Sequence, residues 1–401
     1  MTEHDGHLDG VLTGTRVLDF GRYIAGPYCA ALLADLGADV IRIERRGGGE
    51  DRWVAPVAPD GVGALYLVMN RNKRAMTLDP ACPEGREIVR KLVATADVVV
   101  ANLPPEVLRS LALDLESLRR VKPDIILTTV TAFGAGGPWS HKHGFDGIGQ
   151  VMCGSAYLTG TPDQPLRAAV AWVDCGTASL AAFGTLAALM ARGKTGRGQK
   201  VEGALLRTAV AFNNPTLVEQ QVAQPNRVAT VNRGQTSAPS DLYRTRDGWI
   251  LTAAIGEPMF ARWAALMGER HWLGDPRFKN DLARGDNGEA ISKRMAEWTA
   301  TRTTAEALAG LEGTKIPAAP LYSPQQALED AHIRTAKLLE DTDYPGLARK
   351  APLAPTPVDL SETPGRFRHR APTIGEHTAE ILAELGYDRA AIEGLESRGV
   401  V

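Results

Sequence analysis

Early in the chain, short apolar runs alternate with longer stretches whose apolar residues recur at helical spacing. VLDF (17–20) has strand length, and Pro27–Leu36 carries a helical pattern that Gly37 stops. ADVIRIE (38–44) predicts a second strand. Pro83 opens a helix that runs through Ala94, with Ile88, Leu92 and Val93 on one face. DVVVANL (97–103) predicts a third strand, Asp114 caps a short helix, and DIILTTV (124–130) predicts a fourth strand. Strands separated by helices at this spacing form βαβ units, so a parallel sheet is expected.

The longest charge-free apolar stretch follows Asp174. It reads as a helix over 175–192, apolar all round, with Gly193 as its C-terminal stop. It is short for a membrane span, and Gly176, Ser179 and Gly184 interrupt it, so a helix buried in protein is expected. The composition shifts after about residue 205. DLYRTRDGWILTAAI (241–255) predicts a hairpin with its turn at Asp247 and Gly248, and helices rich in Trp, Ala and Met follow to about residue 310. This region predicts a second, smaller α+β domain, and HTAEILAELG (377–386) predicts one more amphipathic helix.

At 401 residues the chain is long for one hydrophobic core, which agrees with two domains. With 44% apolar and 23% charged residues, its composition is that of a soluble globular protein. A net charge of −2 and the lack of any basic run give no electrostatic basis for binding nucleic acid. Cys29, Cys82, Cys153 and Cys175 lie far apart with no CxxC pair, which argues against zinc and a disulfide framework and fits a reducing, cytoplasmic compartment. The N-terminal MTEHDGHLDG is polar and acidic, unlike a signal peptide.

Familiar motifs fail on inspection. The first strand–loop–helix–strand unit has the layout of a dinucleotide site, with Glu44 where an acid could hold a ribose. Its loop reads GRYIAGP, not GxGxxG, so the glycines that allow close pyrophosphate approach are missing and NAD(P) is not expected. GKT (193–195) resembles the end of a phosphate-binding loop, but Ala188 stands where that loop needs glycine and the segment follows a helix. His141 and His143 form an HxH pair without a nearby carboxylate or third histidine, so surface histidines are expected and no metal.

Asp174 admits two readings. Standing directly before a helix, it is a preferred N-cap. A helix N-terminus also stabilises an anion, which would keep Asp174 ionised between its apolar flanks, and an ionised, poorly hydrated carboxylate can attack an activated acyl group. Cys175, Gly176, Thr177 and Ala178 are small and leave room for a substrate. The residues alone do not choose between cap and nucleophile.

Longer segments add what no single motif gives. VLDFGRYIAGPYCAALLADLGADVIRIERRG (17–47), NRNKRAMTLD (70–79), PEGREIVRKLVATADVVVANL (83–103) and GFDGIGQVMCG (144–154) are followed by KTGRGQKVEGALL (194–206), IPAAPLYSPQQALED (316–330) and PTIGEHTAEILAELG (372–386). In this order and spacing they resemble the class III CoA-transferase family, the relatives of formyl-CoA transferase and carnitine CoA-transferase. The resemblance implies an α/β fold: a Rossmann-like large domain with a parallel sheet, formed by residues 1–205 and a returning C-terminal segment, 331–401, with a small α+β domain, 206–330, between them. It also implies a homodimer of two chains interlocked as rings. The implied activity is transfer of CoA from an acyl-CoA thioester to a free carboxylic acid, with coenzyme A as substrate and no permanently bound cofactor.

Asp174 falls where that family carries its catalytic aspartate, which passes through anhydride and aspartyl-CoA thioester intermediates. By the same matching, Ile24 and Ala25 line the CoA site through their backbone, and Arg45 contacts CoA. Leu78, Asp79, Pro80 and Ala81 form a further CoA-lining stretch; Asn102, Leu103 and Pro104 another; His143, Gly144, Phe145 and Asp146 a last one. Oxyanion donors are expected from backbone N–H groups at the start of the 175–192 helix or in a glycine loop.

The chain departs from the family pattern in three places. The N-F-x-P-G segment and the CoA-contacting arginine after it read NLPPEVLRS here, so Ser110 takes that arginine's place and Arg109 is the neighbouring substitute. RGQTSAPSDLY (233–243) replaces the glycine-rich loop of the formyl and oxalate enzymes, which argues against oxalate as acceptor. The α-methylacyl-CoA racemases of the same superfamily pair the aspartate with a histidine in GHD; this chain has GFD, and Phe145 cannot take a proton. Transfer is therefore expected over racemisation, with a CoA-binding protein lacking this chemistry as the remaining alternative.

Overall fold

A computed structural model of the chain describes residues 10–401, so nearly all of the N-terminal stretch read against a signal peptide lies outside the described residues. Six strands form one sheet: β1 (Arg16–Asp19), β2 (Asp39–Glu44), β3 (Lys73–Thr77), β4 (Val98–Ala101), β5 (Ile126–Thr131) and β6 (Lys200–Ala204). They lie in the order β3-β2-β1-β4-β5-β6, and every pair is parallel. Four of them sit where the apolar runs placed them. β3 and β6 escape that pattern for different reasons. β3 opens with Lys73 and Arg74, yet Lys73 is fully buried because it pairs with Asp19 of β1. β6 is an edge strand whose first four residues, Lys200–Gly203, are not buried, so it never needed a continuous apolar run.

The strand order reverses between β1 and β4. In open parallel sheets this switch point leaves a crevice outside the carboxyl ends of the strands. Helices cover both faces. α1 (Ala25–Asp35) lies on one face and α2 (Pro83–Thr95) on the other. α3 (Asp146–Met152), α4 (Trp172–Thr195) and α5 (Leu205–Phe212) join the face of α1, whereas α6 (Thr378–Glu384) and α7 (Arg389–Ser397) join that of α2. α4 starts at Trp172, earlier than expected, and its end is closed by Gly196 at φ 69°, not by Gly193, which stays helical. By length and composition α4 could cross a membrane, but Val173, Ala178, Ala181 and Ala188 on it are buried in this core.

The chain divides into two compact units. The first holds the residues up to Cys153 together with Ala169–Phe212 and Thr335–Val401, so the C-terminal segment returns to the sheet. The second holds Gly154–Ala168 and Asn213–Arg334. Residues 154–168, expected within the large domain, thus group with the second unit. There β7 (Ser240–Arg244) and β8 (Trp249–Ala253) form the expected hairpin, and β9 (Ala318–Pro320) adds a third antiparallel strand over a core of Phe260, Trp263, Phe278 and Met295.

Candidate active site

Two loops build the crevice at the switch point. β1 ends in Asp19, whose Oδ1 accepts the Gly21 N–H at 2.7 Å and whose Oδ2 accepts from the Lys73 ammonium at 2.7 Å. Lys73 also donates to the Pro27 carbonyl at 2.8 Å and to Asn70 Oδ1 at 3.0 Å, which satisfies its three N–H groups and ties the start of α1 to β3. Burial pushes the Lys73 ammonium down to about 8 against the pull of Asp19. Past β4, Asn102 clamps the first loop: its Oδ1 accepts the Arg22 N–H at 2.7 Å and its Nδ2 donates to the Arg22 carbonyl at 2.8 Å. The next residue, Tyr23, sits at φ 61°, a left-handed conformation that costs a non-glycine residue about 1 kcal/mol or more and needs such a clamp. Ile24, the N-cap of α1, has no side-chain acceptor, so the first turn of α1 meets the crevice without a side-chain cap.

A cavity of about 250 Å³ opens between these loops. Ile24 and Ala25 line it from the β1 loop, and Asn102, Leu103 and Pro104 from the β4 loop. His143, Gly144 and Phe145 line it from the segment before α3, and Asp174 from α4. Asp174 is not an N-cap. Ala171 holds that position, and Asp174 is the third residue of the helix. The cap comes from another helix: Asp146 Oδ2 accepts the N–H of Val173 at 2.8 Å and of Asp174 at 3.1 Å, and the Gln150 amide donates to its Oδ1. Gly149 makes this approach possible, since a Cβ there would stand 2.7 Å from the Val173 side chain. The first N–H groups of α4 are therefore occupied, which corrects the expectation that they serve as oxyanion donors.

Asp174 is half-buried, and among the described residues it makes no ion pair. Burial first and the Asp146 charge second push its carboxyl up to about 7, offset in part by the Asp146 backbone N–H. Burial, with the Asp146 charge behind it, thus works against the ionisation that the helix end was expected to give. The small residues after it do not open room for a ligand. A Cβ on Gly176 would lie 2.6 Å from the Phe212 ring, and Thr177 and Ala178 are buried in the core.

Arg45, Leu78 and Pro80 line a second cleft, of about 100 Å³, which shares Arg22 and Leu103 with the first. The Arg45 guanidinium is exposed, with Nε donating to the Gly48 carbonyl at 2.7 Å and Nη1 3.1 Å from Glu50. Asp79 and Ala81 line neither cleft; Asp79 Oδ1 accepts the Ala81 N–H at 2.9 Å and turns the chain. Arg109 lies exposed on the helix Pro105–Ser110 and reaches neither cleft, whereas Glu106 of the same helix lines the first. Asp146 does not line the cavity, its carboxylate being engaged under α4. Glu44 is held by buried Arg52, whose Nε donates to it at 2.9 Å, and is not free for a ribose. Phe145 is 66% exposed with its ring edge-on to Tyr23 at 5.7 Å, so no proton acceptor stands where a racemase histidine would. The sequence reading missed Arg22, Tyr23 and Lys142, whose only signal was adjacency to Ile24 and His143.

Fold and site together define an α/β protein with a nucleotide-type crevice at its switch point and a half-buried carboxylate opening on it. The description CoA-transferase family III matches residues 12–378, and the chain belongs to that family; it is a CoA-transferase, which moves CoA from an acyl-CoA to a carboxylic acid. A succinyl-CoA–D-citramalate CoA-transferase of Chloroflexus aurantiacus is 33% identical over 377 residues, 93% of this chain and 94% of that one. A succinate–glutarate CoA-transferase of Agrobacterium fabrum is 33% identical over 384 residues, covering 93% and 95% of the two chains. The crystal structure of a CAIB/BAIF family protein from Brucella suis superposes with a TM-score of 0.82 at 31% identity, covering 94% of this chain and all of that one.

Proposed function

We propose that Asp174 is the nucleophile of a succinyl-CoA-dependent transferase whose acceptor is a small dicarboxylic acid. The observation that carries this is Asp174 itself: a half-buried carboxylate, without a cation, opening on the cavity. In the proposed sequence, Asp174 attacks the thioester carbonyl, the C–S bond breaks, and CoA thiolate leaves a mixed anhydride behind. The thiolate then attacks the aspartyl carbonyl and releases the donor as its free carboxylate. The acceptor carboxylate attacks the resulting aspartyl-CoA thioester, its C–S bond breaks, and CoA thiolate leaves as a second anhydride forms. The thiolate finally attacks the acceptor carbonyl and regenerates Asp174. No water enters, so thioester energy is conserved. With the α4 amides engaged by Asp146, the first turn of α1 at Ile24 and Ala25 supplies the oxyanion donors in this reading.

The substrates rest on the relatives, whose names pair succinyl-CoA or succinate with D-citramalate and glutarate, both dicarboxylic acids. Arg22, His141, Lys142 and His143 around the same cavity suit the phosphates of CoA or a second carboxylate. Arg45, in the adjoining cleft, is assigned to CoA. None of the four cysteines is in a disulfide among the described residues, which suits a cytoplasmic setting. The interlocked homodimer that the family resemblance implies belongs to the same proposal: Leu180, Phe183 and Met190 leave an apolar stripe on α4, exposed by 44%, 70% and 69%, for a second copy to cover. Sedimentation at micromolar concentration reads this directly, and a monomer there rules it out.

Succinyl-CoA offered with a panel of dicarboxylic acids tests the function. The expected result is one free succinate for each new acyl-CoA, with no free CoA thiol. Hydrolysis with every acid, or rapid α-deuterium uptake by a 2-methylacyl-CoA in heavy water without transfer, overturns it.

A further inference from the structure

We propose that Asp146 is a positioning residue for the transfer reaction: from a neighbouring helix, its carboxylate fixes the backbone of Asp174 and places a negative charge beside it. The inference rests on the reading of Asp174 as nucleophile. α4 lacks a cap of its own, because Ala171 has no side-chain acceptor. The Asp146 Oδ2 replaces one, bonding the Val173 and Asp174 N–H groups at 2.8 and 3.1 Å. Gln150, fully buried one turn along α3, donates to Oδ1, so among the described residues the Asp146 carboxylate takes N–H donors on both oxygens. One turn later the Thr177 hydroxyl bonds Thr208 of α5 at 2.8 Å, so the first turns of α4 are held from two sides.

Two carboxylates side by side without a cation divide their roles by environment. The Asp146 carboxylate accepts from three N–H groups, whereas the Asp146 backbone N–H only partly offsets the upward push on Asp174. Burial first and the Asp146 charge second push the Asp174 carboxyl up to about 7. A more basic carboxylate is a better nucleophile once ionised, so the pairing trades ionisation for reactivity. Arg22 and Tyr23 of the β1 loop, Glu106 of the helix after β4, and His141, Lys142 and His143 of the segment before α3 line the cavity on which Asp174 opens. Cys175 follows it on α4, and Tyr28 of α1 lies near that thiol. On α5, Arg207 bonds the Glu202 carbonyl, and on β6 Lys200 and Glu202 pair with each other. Among all these groups the charge acting on Asp174 is that of Asp146.

Asp146→Asn keeps an oxygen for the two amides and removes the charge; Asp146→Ala removes both. Exchange of labelled succinate into succinyl-CoA, followed from pH 5 to 9, reads catalysis without requiring the acceptor. The ¹³C titration of the Asp174 carboxyl, assigned with Asp174→Asn, reads its charge independently of catalysis. In Asp146→Asn both midpoints move to lower pH by about one unit, and the plateau rate stays within about tenfold of wild type. In folded Asp146→Ala the plateau falls about 100-fold, as expected when a nucleophile loses its placement. If Asp146→Ala does not fold, Asp146→Asn decides alone. An unmoved ¹³C midpoint in Asp146→Asn overturns the proposal. A moved ¹³C midpoint with an unmoved kinetic limb overturns instead the reading of Asp174 as the titrating nucleophile, and with it the catalytic role of Asp146.

Discussion

Buried carboxylates are treated in opposite ways at two places in the sheet-bearing unit. Under the loops after β1 and β2, each has its own cation: Asp19 meets Lys73, Asp35 meets Arg71, Glu44 meets Arg52 and Asp51 meets Arg42, at 2.5 to 2.9 Å. At the start of α4, Asp146 and Asp174 sit together, and among the described residues neither has an ion-pair partner. The first arrangement is scaffolding. It fixes the loop between β1 and α1 and the turn after β2, and it leaves no reactive group. The second leaves one carboxylate engaged by amides and the other with its basicity raised. In the proposed reading, burial alone does not mark the reactive acid; burial without a cation, on a carboxylate that opens on the cavity, does, and the difference can be broken from either side.

The largest effect is expected at the unpaired site. Asp174→Asn keeps the size and polarity of the side chain but attacks poorly, so turnover falls by about three orders of magnitude or more while circular dichroism stays unchanged. At the paired site the effect falls on stability. Lys73→Met leaves Asp19 buried without its cation, which costs about 3–5 kcal/mol in urea unfolding. A loss below about 1 kcal/mol, the scale of an exposed pair, would remove the distinction between the two places.

A smaller effect has the opposite sign. The Asp174 carboxyl is raised in the folded chain from its ordinary 3.8 to about 7, so the folded state holds the proton more tightly and stability falls as pH rises through that window. Asp174→Asn removes the penalty. It should stabilise the protein by about 2 kcal/mol at pH 8, less than the shift alone gives because the group is partly solvated, and the gain should vanish towards pH 4. Unfolding curves at pH 5 and pH 8 check this, and a gain that does not grow with pH contradicts it.

The sequence revealed the parallel sheet wherever strands are apolar, because VLDF, ADVIRIE, DVVVANL and DIILTTV are buried on both faces. It hid β3, whose buried Lys73 reads as surface until its partner Asp19 is known, and β6, whose edge position tolerates charge. The resemblance, not residue type, singled out the β1 and β4 loops and the segment before α3, which line the cavity. Asn102 illustrates why: its amide is engaged by the Arg22 backbone, so it shapes the cavity instead of offering a free group. The cap of α4 was illegible in principle. A helix normally draws its cap from the residue before it, whereas this one draws it from Asp146, 28 residues upstream of Asp174. Burial, and after it that same distant carboxylate, raises the Asp174 carboxyl, and neither is visible in the residues beside it.

The central claim is that Asp174 carries the acyl group or CoA during turnover. Hydroxylamine added during incubation with succinyl-CoA, followed by proteolysis and mass spectrometry, tests it most directly. The account predicts inactivation only when succinyl-CoA is present, with a single hydroxamate on the peptide that contains Asp174. Inactivation without succinyl-CoA, a hydroxamate on another acidic residue, or full activity with no modified peptide would contradict it.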